Sequence, residues 1–244
     1  MQMLALYSIK GGVGKTASAI NLATQASLTG LRVLLWDLDP QAATTFYLRN
    51  KPKIRGGGVD QLVKGKATLE KAIRATEVEG LDLLPASFES RTLDQLLEGR
   101  KASRLRKVLK PVADQYDLII LDCPPGITTL SEQIFSSVDT LLVPVVPTTL
   151  SLRTLEQLQQ YLDQENITTP VWPFFTLVDR RRKMHQEVMA HFRVQWPAQL
   201  SSAIPYASIV EQMGSHQAPL PHFAPHAAAT RAYQSLWEEV AGRL

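Results

Sequence analysis

Residues 9–16, Ile9-Lys10-Gly11-Gly12-Val13-Gly14-Lys15-Thr16, read as a phosphate-binding loop and decide the fold expected of this chain. The apolar run Met3-Leu4-Ala5-Leu6-Tyr7 precedes the loop, and apolar residues at helical spacing, Ala19, Ile20, Leu22, Ala23 and Ala26, follow it. The stretch is therefore a strand-to-helix turn, where glycines let backbone N–H groups curl around phosphate oxygens and the helix N-terminus adds positive potential. In such a turn Lys15 reaches the β- and γ-phosphates and the Thr16 hydroxyl ligates Mg²⁺. The residues from Lys10 through Gly11, Gly12, Val13, Gly14, Lys15 and Thr16 to Ala17 form the cradle. The common spacing GxxxxGK[ST] fails here, since its first glycine falls on Ile9, whereas xKGGxxK[ST] fits every position. A nucleoside triphosphatase with an additional loop lysine, Lys10, is the reading.

Composition narrows the class. At 244 residues the chain is long enough for one α/β unit with a sizeable core. It contains no apolar run near the roughly 20 residues needed to span a bilayer. The N-terminus enters a strand with no basic leader, so the expectation is a cytoplasmic protein. Cys123 is the single cysteine, which excludes a disulfide framework and argues against a cysteine-held cluster within one chain. The net charge of +3 is modest, so the position of the basic residues matters more than their sum. They gather at Arg49, Lys51, Lys53 and Arg55, between Arg100 and Lys110, and most densely at Arg180-Arg181-Arg182-Lys183. The second group includes Leu105, Val108, Leu109 and Val112 at helical spacing, so residues 102–112 read as a helix with its basic face in water.

Probable strands at Leu31–Trp36, Leu81–Pro85, Leu118–Leu121, Thr140–Val146, Val171–Leu177 and near Ser201–Ile204 alternate with helices, which predicts a mainly parallel sheet covered on both faces. Ligands of such sheets bind beyond the carboxyl ends of the strands. Two of those ends carry aspartates, in Asp37-Leu38-Asp39-Pro40-Gln41 and in Asp122-Cys123-Pro124-Pro125-Gly126. A carboxylate there can hold Mg²⁺ directly or through water beside the phosphates, with Asp122 as the principal candidate.

KGGVGKT, DLDPQ and DCPPG, in this order and spacing, resemble the deviant phosphate loop and aspartate segments of the ParA/MinD family of P-loop ATPases, and above all its small ParA-type partition members. The resemblance implies a P-loop NTPase fold, a twisted and mainly parallel sheet with helices on both faces, in one domain over residues 1–244. It implies ATP and Mg²⁺ as ligands, with the metal held by Thr16, Asp39 and Asp122. Lys10, Lys15 and Asp39 become the catalytic residues: Lys10 reaches the partner's nucleotide in an ATP-sandwiched homodimer, and Asp39 orients the attacking water. Asp37 shapes the site, and Pro205 lies near the adenine.

Function follows by the same resemblance. The ATP dimer binds DNA without sequence preference, with Arg180, Arg181, Arg182 and Lys183 as the candidate contact. It positions a chromosome, a plasmid or a protein assembly such as a carboxysome, and a ParB-like or other cargo adaptor stimulates hydrolysis. The ATP state is then associated with the nucleoid. Three departures stand out: Ala17 replaces a hydroxyl residue, the segment from Pro205 and Tyr206 to Glu211 lacks the arginines that many chromosomal relatives carry after this proline, and the loop starts too near the N-terminus for a preceding helix-turn-helix. Two other readings stay open. A MinD-like protein would use the amphipathic tail Ala229-Tyr233-Leu236-Trp237-Val240 on a membrane, although Glu238 and Glu239 fit packing on the sheet better. A small-molecule kinase or ligase would use the loop without needing Lys10. The basic run itself is also consistent with a solvated turn paired to acids such as Glu187.

Overall fold

The computed structural model of the chain describes residues 1–51, 69–86 and 104–244. Lys53, Arg55, the glycine triplet 56–58, Arg100, Lys101 and the start of the helix expected at 102–112 lie outside the described residues. The described chain runs β1 (Gln2–Leu6), α1 (Lys15–Leu28), β2 (Val33–Asp37), α2 (Ala43–Tyr47), α3 (Leu69–Ala72), β3 (Arg74–Ala75), β4 (Leu81–Leu84) and α4 (Arg104–Leu109). After a 3-10 turn at Lys110–Val112 come β5 (Leu118–Asp122), α5 (Thr129–Phe135), β6 (Thr140–Val145), α6 (Thr149–Gln164), β7 (Val171–Val178) and α7 (Lys183–Gln195). The chain closes with β8 (Ala203–Pro205), α8 (Ser208–Glu211), α9 (Met213–His216), α10 (Leu220–Phe223) and α11 (Ala228–Ala241).

The eight strands form one sheet in the order β3-β4-β2-β5-β1-β6-β7-β8. Every pairing is parallel except β3 with β4. β1 lies at the centre, with the strands of the first half on one side and β6, β7 and β8 on the other. The loop after β1 therefore opens at the point where the winding reverses, the place such sheets reserve for ligands. The antiparallel β3 has no counterpart in the sequence reading, because two residues, Arg74 and Ala75, carry no periodic signal.

Strand alternation divides the core in two. Met3, Ala5, Tyr7, Leu34, Trp36, Ile119, Leu121 and Leu141 face a cluster completed by Leu105, Leu109, Ile134, Phe135, Leu158 and Phe192 of α4 to α7. Leu4, Leu6, Val33, Leu35, Leu118, Ile120, Leu142 and Phe174 face the other way, onto α1 and α11. Each fully buried large side chain contributes roughly 1.5–3 kcal/mol, so the paired layers supply the main drive for folding.

α1 lies between the sheet and α11 and is buried on nearly every side, which accounts for its near-continuous run of small and aliphatic residues. Two of its polar side chains find partners inside this layer: Thr24 donates to the Ile20 carbonyl, and Asn21 bridges the Ala17 carbonyl and the Leu220 N–H. The tail stripe Ala229, Tyr233, Leu236, Trp237 and Val240 is buried in this layer against α1 and β8. Glu239, on the same helix, accepts hydrogen bonds from the Ser201 and Ser202 N–H groups and so holds the entry to β8. Among the described residues no helix is long and apolar enough to cross a membrane.

Candidate nucleotide-binding site

The loop between β1 and α1 is shaped by two left-handed glycines, Gly12 at φ +72° and Gly14 at φ +85°. Gly14 caps α1, and a Cβ there would come within 3.3 Å of the Thr176 hydroxyl oxygen, so both backbone conformation and space call for glycine. Gly11 and Gly12, by contrast, face open space, with nothing within 4 Å of an added Cβ. The two loop lysines are separated in environment. Lys15 is 7% exposed, and its ammonium donates to the Lys10 carbonyl at 3.2 Å. Burial draws its pKa below the ordinary lysine value, against the pull of Asp122. The Lys10 side chain is exposed.

The register of β2 and β5 sets Asp37 directly beside Asp122, level with Leu6 at the end of β1. Both carboxyls are buried. One Asp37 oxygen accepts from the Thr45 N–H at 2.9 Å and the Thr45 hydroxyl at 2.7 Å; the other accepts from the Asp39 N–H at 3.2 Å. Asp122 Oδ2 accepts from the Thr44 hydroxyl at 2.7 Å, while its Oδ1 is buried without a hydrogen-bond partner. Burial raises both carboxyls above the usual carboxylate range. The neighbouring Asp122 charge adds to this at Asp37, and Thr44, Thr16 and Lys15 work against it at Asp122. A buried, unfilled carboxylate oxygen beside Thr16 and Lys15 fits a hard cation. Among the described residues no group of three or more His, Cys, Asp or Glu side chains is placed to hold a metal. An ion bound here would take its other ligands from phosphates and water, the habit of Mg²⁺.

A cleft of about 540 Å³ opens in front of the loop, lined by Gly11, Gly12, Gly14, Lys15, Thr16 and Ala17. Asp39, Tyr47 and Pro125 border it on one side and Leu177, Val210 and Glu211 on the other. Asp39 is half-buried, with its Oδ1 accepting the Gln41 N–H at 2.9 Å. The segment after β5 is tied to the phosphate loop through Gly126 N–H to the Ile9 carbonyl and Tyr7 hydroxyl to the Gly126 carbonyl. Cys123 beside it is buried, its thiol pushed up by burial first and the Asp122 charge next. The residues expected at the phosphate end thus converge. Pro205 instead ends β8 opposite Val178 and is not among the cleft-lining residues; α8 reaches the cleft from this side through Val210 and Glu211. Thr44 and Thr45 were not anticipated from sequence, where Ala43-Thr44-Thr45 carries no signal beyond its position shortly after Gln41.

Arg180 to Lys183 follow β7 at the same end of the sheet and are exposed. They are partly neutralised. Asp179 accepts from Arg181 at 2.9 and 3.0 Å and lies 3.8 Å from Arg182, and Lys183 lies 3.5 Å from Glu187. Between this run and the nucleotide cleft stands Leu177, in the left-handed region at φ +52°, where β7 shifts register against β8.

The family model described as an AAA domain matches residues 1–169. The chain is 31% identical over 250 residues to the chromosome-partitioning ATPase Soj of Treponema pallidum, covering 98% of this chain and 97% of that one. It belongs to the Soj/ParA family of P-loop ATPases. Among solved structures it is similar to McdA of Cyanothece in complex with ATP, with a TM-score of 0.83 and 23% identity over 99% of this chain and 96% of that one. It is also similar to cobyrinic acid a,c-diamide synthase of Mycobacterium smegmatis with bound ADP and magnesium, with a TM-score of 0.81 and 24% identity over 99% and 94%. These likenesses establish the fold, which McdA and a cobyrinic acid a,c-diamide synthase share.

Proposed function

We propose that this chain binds ATP and Mg²⁺ in the 540 Å³ cleft, hydrolyses ATP to ADP and phosphate, and alternates between a monomer and an ATP-sandwiched dimer that binds DNA without sequence preference and positions a cargo. The observation that carries this reading is the division between the two loop lysines. Lys15 is buried in its own loop, ready to neutralise the β- and γ-phosphates, whereas Lys10 is exposed and free to act on a nucleotide held by a second copy. Bound Mg²⁺ would screen charge on the phosphates, with Thr16 and Asp122 holding it and Asp39 beside it. Asp39 would orient the attacking water from the edge of the cleft. Residues 1–244 act as one domain in this reading, and a cargo-bound adaptor stimulates hydrolysis.

Two alternatives receive less support. The tail stripe that a membrane-binding protein would need is occupied against α1 and β8. A kinase or ligase accounts for the cleft but leaves Lys10 without a task. Sedimentation with ATP and Mg²⁺ tests the proposal. Lys15→Ala should weaken ATP binding by about 100-fold or more, the cost of losing one strong electrostatic contact. Lys10→Ala should bind ATP as a monomer without assembling, and Asp39→Ala should bind ATP, hydrolyse it slowly and accumulate the dimer. A normal ATP dimer of Lys10→Ala would move the chain to the ligase alternative.

A further inference from the structure

The geometry points to Thr44 as a positioning residue that sets the metal-facing oxygen of Asp122. The inference rests on the reading of Asp122 as a magnesium-facing carboxylate. Thr44 is fully buried on the first turn of α2, outside the set of side chains that line the cleft, and its hydroxyl donates to Asp122 Oδ2 at 2.7 Å. A carboxylate can rotate about its terminal torsion, which is broad and nearly two-fold. The donated hydrogen bond selects one orientation, with Oδ2 on α2 and Oδ1 without a partner. The Thr16 side chain, the other candidate metal ligand, lies close enough to interact with the Asp122 carboxyl, so the two candidate ligands sit together.

The anchor of Thr44 is itself fixed. Thr45, the next residue, holds Asp37 through its N–H and hydroxyl, and the Thr45 hydroxyl also accepts from the Ala86 N–H at 2.9 Å beyond the end of β4. Consecutive hydroxyls on a five-residue helix thereby reach the two side-by-side strand ends of β2 and β5. A hydroxyl is needed at position 44, since an aliphatic group of the same shape fills the space but leaves the carboxylate free to turn. Partners that orient a metal-binding group act on metal affinity rather than on the phosphate contacts made elsewhere.

Calorimetric titration of the full chain with ATP, in Mg²⁺ and in EDTA, separates these contributions. Thr44→Val should raise the Mg²⁺ concentration for half-maximal enhancement of ATP binding by roughly tenfold or more, while affinity in EDTA is unchanged. Thr44→Ser, which keeps the hydroxyl, should restore the wild-type value. In an Asp122→Asn background Thr44→Val should have no further effect on Mg²⁺ dependence, and Thr44→Ala carries the same comparison if the valine variant does not fold. An unshifted Mg²⁺ requirement, or an equal loss with and without the metal, would overturn the role assigned to Thr44. If Asp122→Asn itself binds Mg²⁺ and ATP like the wild type, the magnesium reading of Asp122 falls and this inference with it.

Discussion

Asp37 and Asp122 place two carboxyls side by side in the interior, and the ligand-free protein carries the energetic cost of that arrangement. A carboxyl whose folded pKa lies above its unfolded value, about 3.9 for aspartate, keeps a proton that the unfolded chain gives up. Its contribution to stability is present in acid and is lost as pH rises from about 4 through the raised folded value. Burial raises both groups, with the Asp122 charge second at Asp37, so the sign is the same for both. Ligand-free wild type should therefore lose stability relative to Asp37→Asn as pH rises from about 4 to 8, by on the order of 1 kcal/mol for each pH unit by which the pKa is raised. Thermal unfolding across pH measures this, and superimposable profiles would show that the pair ionises without cost. At this scale the sequence exposed the loop and the aspartates, because their chemistry depends on residue type at fixed spacing. It did not expose Thr44, because a hydroxyl meeting a carboxylate 78 residues away is a product of strand order, nor Thr45, whose contact with Asp37 depends on how α2 folds back on the end of β2.

Strands β1, β2, β4, β5, β6 and β7 were legible as apolar runs, since a parallel strand buried on both faces needs no alternation. Helix α4 is shorter than its periodicity suggested within the described residues, because Pro111 follows and the chain tightens into a 3-10 turn there. Its basic face is also less free than expected: Arg106 donates to the Ser137 carbonyl and pairs with Asp139 at 2.7 Å. The turn before α7 repeats the lesson. The run Arg180 to Lys183 is plain in the sequence, but only the structure reveals that Asp179 occupies the Arg181 guanidinium. If this turn contacts DNA, Asp179→Asn should release that group, tighten duplex binding in the ATP state by up to about fivefold and steepen the salt slope by about one unit. Fluorescence anisotropy at several salt concentrations measures both, and unchanged affinity and slope would remove Arg181 from the DNA contact.

Across the molecule, α1 joins the two halves of function and stability: its first residues build the phosphate loop and its body supports α11. Leu236 is fully buried in that layer, so Leu236→Ala should cost about 2–5 kcal/mol in chemical denaturation without creating affinity for anionic vesicles. A loss below 1 kcal/mol would mean that the tail is only loosely docked. The parallel architecture, its two covering layers and the edge strand β8 near Ser201–Ile204 were readable from alternation of elements, whereas the opposite edge, β3, was not. Among the described residues the outer strands are the two-residue, antiparallel β3 and the three-residue β8, which ends at Pro205. Such brief margins present few unpaired backbone groups to a neighbour, and proline lacks the N–H that would extend a ladder. Lateral growth of the sheet from chain to chain is thus disfavoured at both flanks, so the proposed ATP dimer could form and part without the sheets of its two copies fusing.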